Sequence, residues 1–140
     1  MKKIALVVLI FVAWALAACS GSSTPAVQTI SLEAVDVQFG ATNFEVVAGR
    51  PIQLTFTNSG ALDHDFTIAK IPVTDVAMTG EMSGGHDMGH MAEMPDLHLA
   101  VKPGGMGTLT FTPTEPGEYE FNCSVTGHKE AGMVGNLIVK

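Results

Sequence analysis

The chain is organised around one stretch near its C-terminus, FNCSVTGHKEAGM, residues 121–133. Cys123, His128 and Met133 bring a thiol, an imidazole and a thioether into this stretch, with four residues between successive members. Soft cysteine and methionine ligands beside an imidazole favour copper over magnesium or calcium. The spacing predicts a loop in which Cys123 ends one strand and Met133 opens the next.

A fourth ligand is expected from NSGALDHDF, residues 58–66, where His64 follows a turn and precedes a β-rich run. The predicted set places His64, Cys123 and His128 in a trigonal plane with Met133 as a weak axial ligand, as in blue-copper electron-transfer sites. Taken singly, Cys123 or Met133 would be assigned to core packing. Metal-ligand clusters are recognised from joint spacing, so we predict one mononuclear copper site.

These residues and gaps resemble those of the small blue copper proteins, the cupredoxins. The four-residue gaps on both sides of His128 are similar to those of auracyanin and rusticyanin, whereas plastocyanin has a shorter first gap. The resemblance covers about residues 30–140, the size of one domain. It implies a Greek-key β-sandwich, one type 1 copper ion, and exchange of one electron with redox protein partners. It also implies no enzymatic activity, because four ligands leave no vacancy for a substrate.

The resemblance further implies that Asp65, the residue after the first histidine, connects to the segment of Cys123 and Ser124. This sequence departs from the usual cupredoxin pattern at two positions. Asp65 stands where asparagine is commoner, and Thr126 stands where several cupredoxins carry proline. Two interpretations of Asp65 stay open. A buried carboxylate beside copper would make the reduction potential depend on pH, whereas an exposed one would be an ordinary solvated acid.

Alternation of apolar and polar residues begins at Ile30, and period two indicates strands. Further β-branched and aromatic runs, separated by Gly, Pro and Asn, have the spacing of an all-β sandwich or barrel with about eight strands. No segment after the N-terminal region shows helical periodicity. The predicted strands cover residues 30–39, 44–47, 52–57, 64–68, 97–101, 108–112, 117–123 and 134–139.

Residues 1–18 have the features of an export signal, with two lysines before an unbroken apolar run. That run is shorter than the ~20 apolar residues of a membrane-spanning helix, although a retained anchor is the alternative. LAAC, residues 16–19, resembles the bacterial lipobox. This resemblance implies lipidation of Cys19 and a membrane-anchored lipoprotein facing the periplasm or the cell exterior. Residues 19–29 would then be a flexible polar tether, and residues 30–140 the copper domain.

The charge of the mature chain limits its partners. Loss of Lys2 and Lys3 with the signal leaves five basic against 14 acidic side chains, a net charge of about −9. Nucleic acid is therefore excluded as a partner. Basic proteins are the expected partners, unless the charge only maintains solubility, and we expect a monomer. With Cys19 lipidated, Cys123 is the only thiol of the domain, and burial against a metal suits an oxidising compartment.

A second informative stretch covers residues 78–98 and holds five of the eight methionines and three of the five histidines. Thioethers with imidazoles bind Cu(I), and histidine-rich tracts are often metal-binding. The alternative is a long flexible insertion whose methionines pack over the sandwich. The candidate ligands of a second copper site are Met82, His86, Met88, His90, Met91 and Met94.

Two functions follow from these patterns. The first is a blue copper electron-transfer protein, and the second is an extracytoplasmic copper-binding or copper-trafficking protein that uses the insertion. The complete set of four ligands favours the electron carrier, because a trafficking site benefits from open coordination.

Overall fold

The computed structural model describes residues 25–80 and 94–140, which form ten β-strands. Within these two ranges no helix is long and apolar enough to cross a membrane. The strands are β1 (Gln28–Val35), β2 (Gln38–Phe39), β3 (Asn43–Val46), β4 (Ile52–Asn58), β5 (His64–Ile68), β6 (Val73–Gly80), β7 (Leu97–Val101), β8 (Met106–Pro113), β9 (Gly117–Asn122) and β10 (Val134–Val139).

The strands form two five-stranded sheets, in the orders β2-β1-β4-β8-β6 and β3-β10-β9-β5-β7. Pairing is antiparallel except between β1 and β4 and between β3 and β10. This arrangement confirms the predicted all-β sandwich. Ten strands replace the expected eight for two reasons. A turn at Asp36, whose φ is 51°, splits the first predicted run into β1 and β2, and β6 was not predicted.

Strand β6 was missed because it lies at the edge of its sheet, where β8 is its single partner among the described strands. All of its residues after Val73 are exposed, so they carry no alternation of apolar and polar residues. A register shift between Thr74 and Ala77 interrupts the pairing further. The insertion predicted over residues 78–98 therefore begins inside β6 and ends inside β7, and residues 81–93 lie outside the described residues.

The core lies between the sheets and is continuous with the base of the ligand loop. Phe121 on β9 is fully buried, and its ring centroid lies 5.4 Å from Phe39, 5.9 Å from Phe44 and 5.2 Å from Phe66. Burying a side chain of this size stabilises the fold by about 1.5–3 kcal/mol. Because Phe121 is two residues before Cys123, this packing also fixes where the thiol leaves its strand.

At one end of the sandwich, which we call the ligand end, lie the start of β5, the end of β9 and the start of β10. His64, Asn122 and Val134 occupy these three positions. The first described strand begins at the opposite end, where Gln28 and Val47 exchange two hydrogen bonds of 3.2 and 2.9 Å. Strand β6 runs towards the ligand end, since Gly80 pairs with Gly107 near the start of β8.

The close approach at Gly135 provides a test of the packing under the loop. A Cβ at Gly135 would meet the ring of Phe121 and approach the carbonyl oxygen of Thr42 to 2.6 Å. Overpacking costs about 1–3 kcal/mol, so we expect Gly135→Ala to lower the free energy of unfolding by that amount in urea denaturation. Gly40→Ala is the matched control, because its nearest neighbour would be 3.6 Å away. Equal stability of the two variants would contradict this packing.

Candidate metal centre

Three of the four predicted ligands converge at the ligand end. Cys123 Sγ lies 3.4 Å from His128 Nδ1 and 3.8 Å from His64 Nδ1. The ligand atoms of all three residues lie within 4.8 Å of one another. His64 and Cys123 are fully buried, and His128 is 6% exposed. The structure therefore brings together residues that are 64 positions apart in the sequence.

The geometry of these donors fits a metal ion. With metal–ligand bonds of 2.0–2.3 Å, two ligands of a trigonal plane lie about 3.8 Å apart. The two sulfur–nitrogen distances, 3.4 and 3.8 Å, are close to that separation. One thiolate with two imidazoles is the equatorial set of a blue-copper site. His64, Cys123 and His128 thus form a site suited to a type 1 copper ion.

The ligand loop folds back on itself as the spacing predicts. The Cys123 N–H donates to the Met133 carbonyl at 3.1 Å, and the Met133 N–H donates to the His128 carbonyl at 2.9 Å. Gly127 and Gly132 provide the turns, with φ of 85° and 101°, a region that favours glycine. Met133 is fully buried and is bonded through its backbone to both neighbouring ligands. Its role as the axial ligand stays a prediction.

Asn58 organises the segment that leads to His64. Its side-chain NH₂ donates to the carbonyls of Leu62 at 2.8 Å and Val101 at 2.9 Å, while its Oδ1 accepts from the Gly60 N–H at 3.0 Å. Asn58 is fully buried, so these bonds compensate its desolvation. A Cβ on Gly60 would lie 3.1 Å from His64 Nε2. Sequence reasoning missed this role, although an asparagine two residues before a glycine is a turn signal.

Asp65 is fully buried, so it is not the exposed, solvated acid of the second interpretation, and the pH dependence of the reduction potential stays a prediction. Its carboxylate accepts hydrogen bonds from the Ser124 N–H at 2.7 Å, the Ser124 Oγ at 2.5 Å and the Thr67 Oγ1 at 3.0 Å. Burial acts to raise the pKa of Asp65, but interactions with His98 and Ser124 outweigh it and hold this pKa below its usual value. The two ligand-bearing segments are therefore joined through a carboxylate.

The electrostatics of the site keep the free thiol protonated. Burial, with the nearby charge of Asp65, raises the pKa of Cys123 to about 11, although the backbone N–H groups of Asp65 and Val125 act in the opposite direction. Burial, followed by the proximity of His128, lowers the pKa of His64. His64 is therefore a neutral ligand at pH 8, whereas Cys123 must lose its proton when a metal binds.

Proton release on metal binding tests this arrangement. At pH 8, we expect binding of Zn²⁺, which is not redox-active, to displace about one proton from the wild-type protein, because the buried thiol is protonated before binding and the thiolate ligand is not. The measurement is titration calorimetry in two buffers of different ionisation enthalpy. Binding of Zn²⁺ to the wild-type protein without proton release would show that the thiol is not a ligand.

The structure describes one of the six predicted ligands of the second copper site. Met94 lies just before β7 and is 66% exposed. Met82, His86, Met88, His90 and Met91 lie outside the described residues, as does the predicted lipidation site Cys19. His98, which the sequence grouped with the methionine-rich stretch, lies instead on β7 beside Asp65.

Comparison with known proteins identifies the family. The model of copper binding proteins of the plastocyanin/azurin family matches residues 26–140. The chain belongs to this family. The cupredoxin resemblance drawn from the ligand loop is thereby confirmed, and copper is the metal that this site binds.

Individual known proteins are similar to this chain over most of its length. The copper-resistant cuproprotein CopI of Rubrivivax gelatinosus is 29% identical, over 86% of this chain and 71% of its own length. CopI of Pseudomonas aeruginosa is 32% identical, over 79% and 76%. The crystal structure of dithionite-reduced auracyanin from Roseiflexus castenholzii superposes with a TM-score of 0.62 at 25% identity, covering 81% of this chain and 97% of auracyanin. This superposition confirms the cupredoxin-like sandwich.

Proposed function

We propose that this protein is a one-electron carrier whose type 1 copper ion is held by His64, Cys123, His128 and Met133. The observation that carries the proposal is the convergence of two imidazole nitrogens and one thiol sulfur within 4.8 Å. Buried donors in this arrangement are suited to a copper ion that alternates between Cu(I) and Cu(II).

The rigidity of the surroundings supports electron transfer. His64 and Cys123 lie where β5 begins and β9 ends, and backbone hydrogen bonds hold His128 and Met133 to each other. Side chains fixed in this way keep nearly the same geometry in both oxidation states, so little rearrangement accompanies the transfer of an electron. Among the three converging ligands only His128 reaches the surface, at 6% exposure. A closed site of this kind supports exchange with a redox protein rather than turnover of a substrate.

The location that we propose is extracytoplasmic, with a lipid on Cys19 as the anchor. The first described strand starts at the end of the sandwich opposite the ligands, where Gln28 contacts Val47. A tether from Cys19 would therefore join the domain at the end away from copper. This placement leaves the ligand end free to meet a partner protein.

Spectroscopy of the copper-loaded protein tests the proposed function. We expect an intense visible band from thiolate-to-copper charge transfer and a reversible one-electron couple in voltammetry, because Cys123 supplies the thiolate. Cys123→Ser should lose the band, while Ser20→Ala, outside the domain, should keep it. Persistence of the band in Cys123→Ser, or an irreversible couple in the wild type, would refute the electron carrier.

A second function, copper handling, is favoured by two observations. The relatives from R. gelatinosus and P. aeruginosa are named copper-resistant cuproproteins. In addition, Gly80, the last described residue before the methionine- and histidine-rich segment, lies at the ligand end. Met78 and Met106 are exposed near this point. A soft second site beside the type 1 copper would suit capture of Cu(I) and its transfer to the buried site.

The stoichiometry of Cu(I) binding distinguishes the two functions. For copper handling, we expect the wild type to bind more than one Cu(I). The variant with Met82, Met88, Met91 and Met94 replaced by leucine should bind only one, since leucine keeps the volume but loses the thioether. Its blue band should be unchanged, which controls for folding. Saturation of the wild type at one equivalent would exclude a second site and leave the electron carrier alone.

A further inference from the structure

His98 faces the connection between the two ligand-bearing segments. In the antiparallel pairing of β5 with β7, His98 lies opposite Thr67 and two residues from Ala100, the partner of Asp65. Its side chain is therefore diagonal to that of Asp65 on the same face of the sheet. His98 Nε2 lies 3.6 Å from Asp65 Oδ2. This nitrogen is buried and makes no hydrogen bond among the described residues.

The carboxylate that His98 approaches is joined directly to the copper loop. Asp65 Oδ1 accepts from the Ser124 N–H, and Oδ2 accepts from the Ser124 hydroxyl. Ser124 follows Cys123 in the chain, and Asp65 follows His64. A displacement of the Asp65 side chain would thus be transmitted through Ser124 to the thiolate.

A charge buried to this degree requires compensation. An isolated buried carboxylate is strongly destabilising unless it is hydrogen-bonded or paired. Ser124 and Thr67 provide neutral donors. Among the described residues, His98 is the side chain that places a ring nitrogen within 4.0 Å of the carboxylate, and a ring nitrogen can serve as a further N–H donor.

We propose that His98 is a positioning residue, which holds the buried Asp65 carboxylate against Ser124 and thereby lowers the reduction potential of the copper. This inference rests on the proposed redox function. The oxidised site carries one more positive charge than the reduced site, so a fixed negative charge nearby favours Cu(II). Hydrogen-bonded groups around a ligand tune a metal in this way. The effect depends on His98 because, without it, the Asp65 carboxylate would be held less firmly and would be hydrated. Water would then weaken the electric field of this carboxylate at the copper ion.

The test uses His98→Ala, His98→Gln, Asp65→Asn and the double variant His98→Ala/Asp65→Asn, with reduction potentials measured at two alkaline pH values, where imidazole side chains are ordinarily neutral. Asp65→Asn removes the charge and keeps an acceptor for Ser124, so it should raise the potential. His98→Ala should raise it in the same direction, and His98→Gln should restore it, since the glutamine amide can place a donor near the position of Nε2. In the Asp65→Asn background, His98→Ala should cause little further shift.

A second readout is independent of copper. In the apo protein, His98→Ala should accelerate hydrogen exchange at the Ser124 amide about tenfold, as expected for weakening one hydrogen bond, and His98→Gln should reverse this. Urea unfolding of each variant verifies folding. An unchanged Ser124 exchange rate, an unchanged or lowered potential in His98→Ala, or an equal shift in both Asp65 backgrounds would overturn the inference. Absence of a blue band in the wild type would instead refute the redox function, and Ser124 exchange would still test the role of His98.

Discussion

The constraint on which this structure depends is the burial of a thiol and two imidazoles at one end of an apolar sandwich. Polar groups removed from water are costly unless they are bonded, and His64 Nε2 has no hydrogen-bond partner among the described residues. The fold sustains these groups by joining the ligand loop to β9 and β10 through the backbone and by packing Phe121 beneath it. A bound metal uses the ligand atoms of all three side chains, so metal binding also stabilises the folded state.

Two buried polar side chains connect the strands of the sandwich to the segments that carry the ligands. Asn58 bonds the end of β4 to the loop before His64 and to Val101 at the end of β7. Asp65 bonds the start of β5 to Ser124, beside Cys123. Each connects segments that are distant in the sequence, so each specifies the arrangement of the ligands as well as contributing to stability. The aspartate differs from an asparagine in bringing a charge into this network, beside the residues that hold copper.

The chain belongs to the plastocyanin/azurin family and carries its copper-binding residues. The physiological role depends in addition on the part of the chain near Gly80, at the edge of the sandwich. The arrangement of donors is what a one-electron carrier requires. The names of the relatives refer to copper resistance, and a segment rich in soft ligands begins after Gly80, at the same end as the buried site. These roles share one copper centre and differ in whether copper itself moves. Both roles are compatible with the same fold, because function depends on the binding sites that a fold carries.

The sequence by itself determined the ligand loop, since Cys123, His128 and Met133 are spaced by the local geometry of one turn between strands. It also determined most strands, because those that bury one face show alternating or β-branched patterns. Edge strand β6 was not predicted, since its exposed side chains show no such pattern. Only the tertiary structure decided that Asp65 is buried, that Asn58 holds the segment before His64, and that His98 lies beside Asp65. Those contacts arise from the register between β5 and β7 and from the convergence of strand ends, which pair residues that are far apart in the chain.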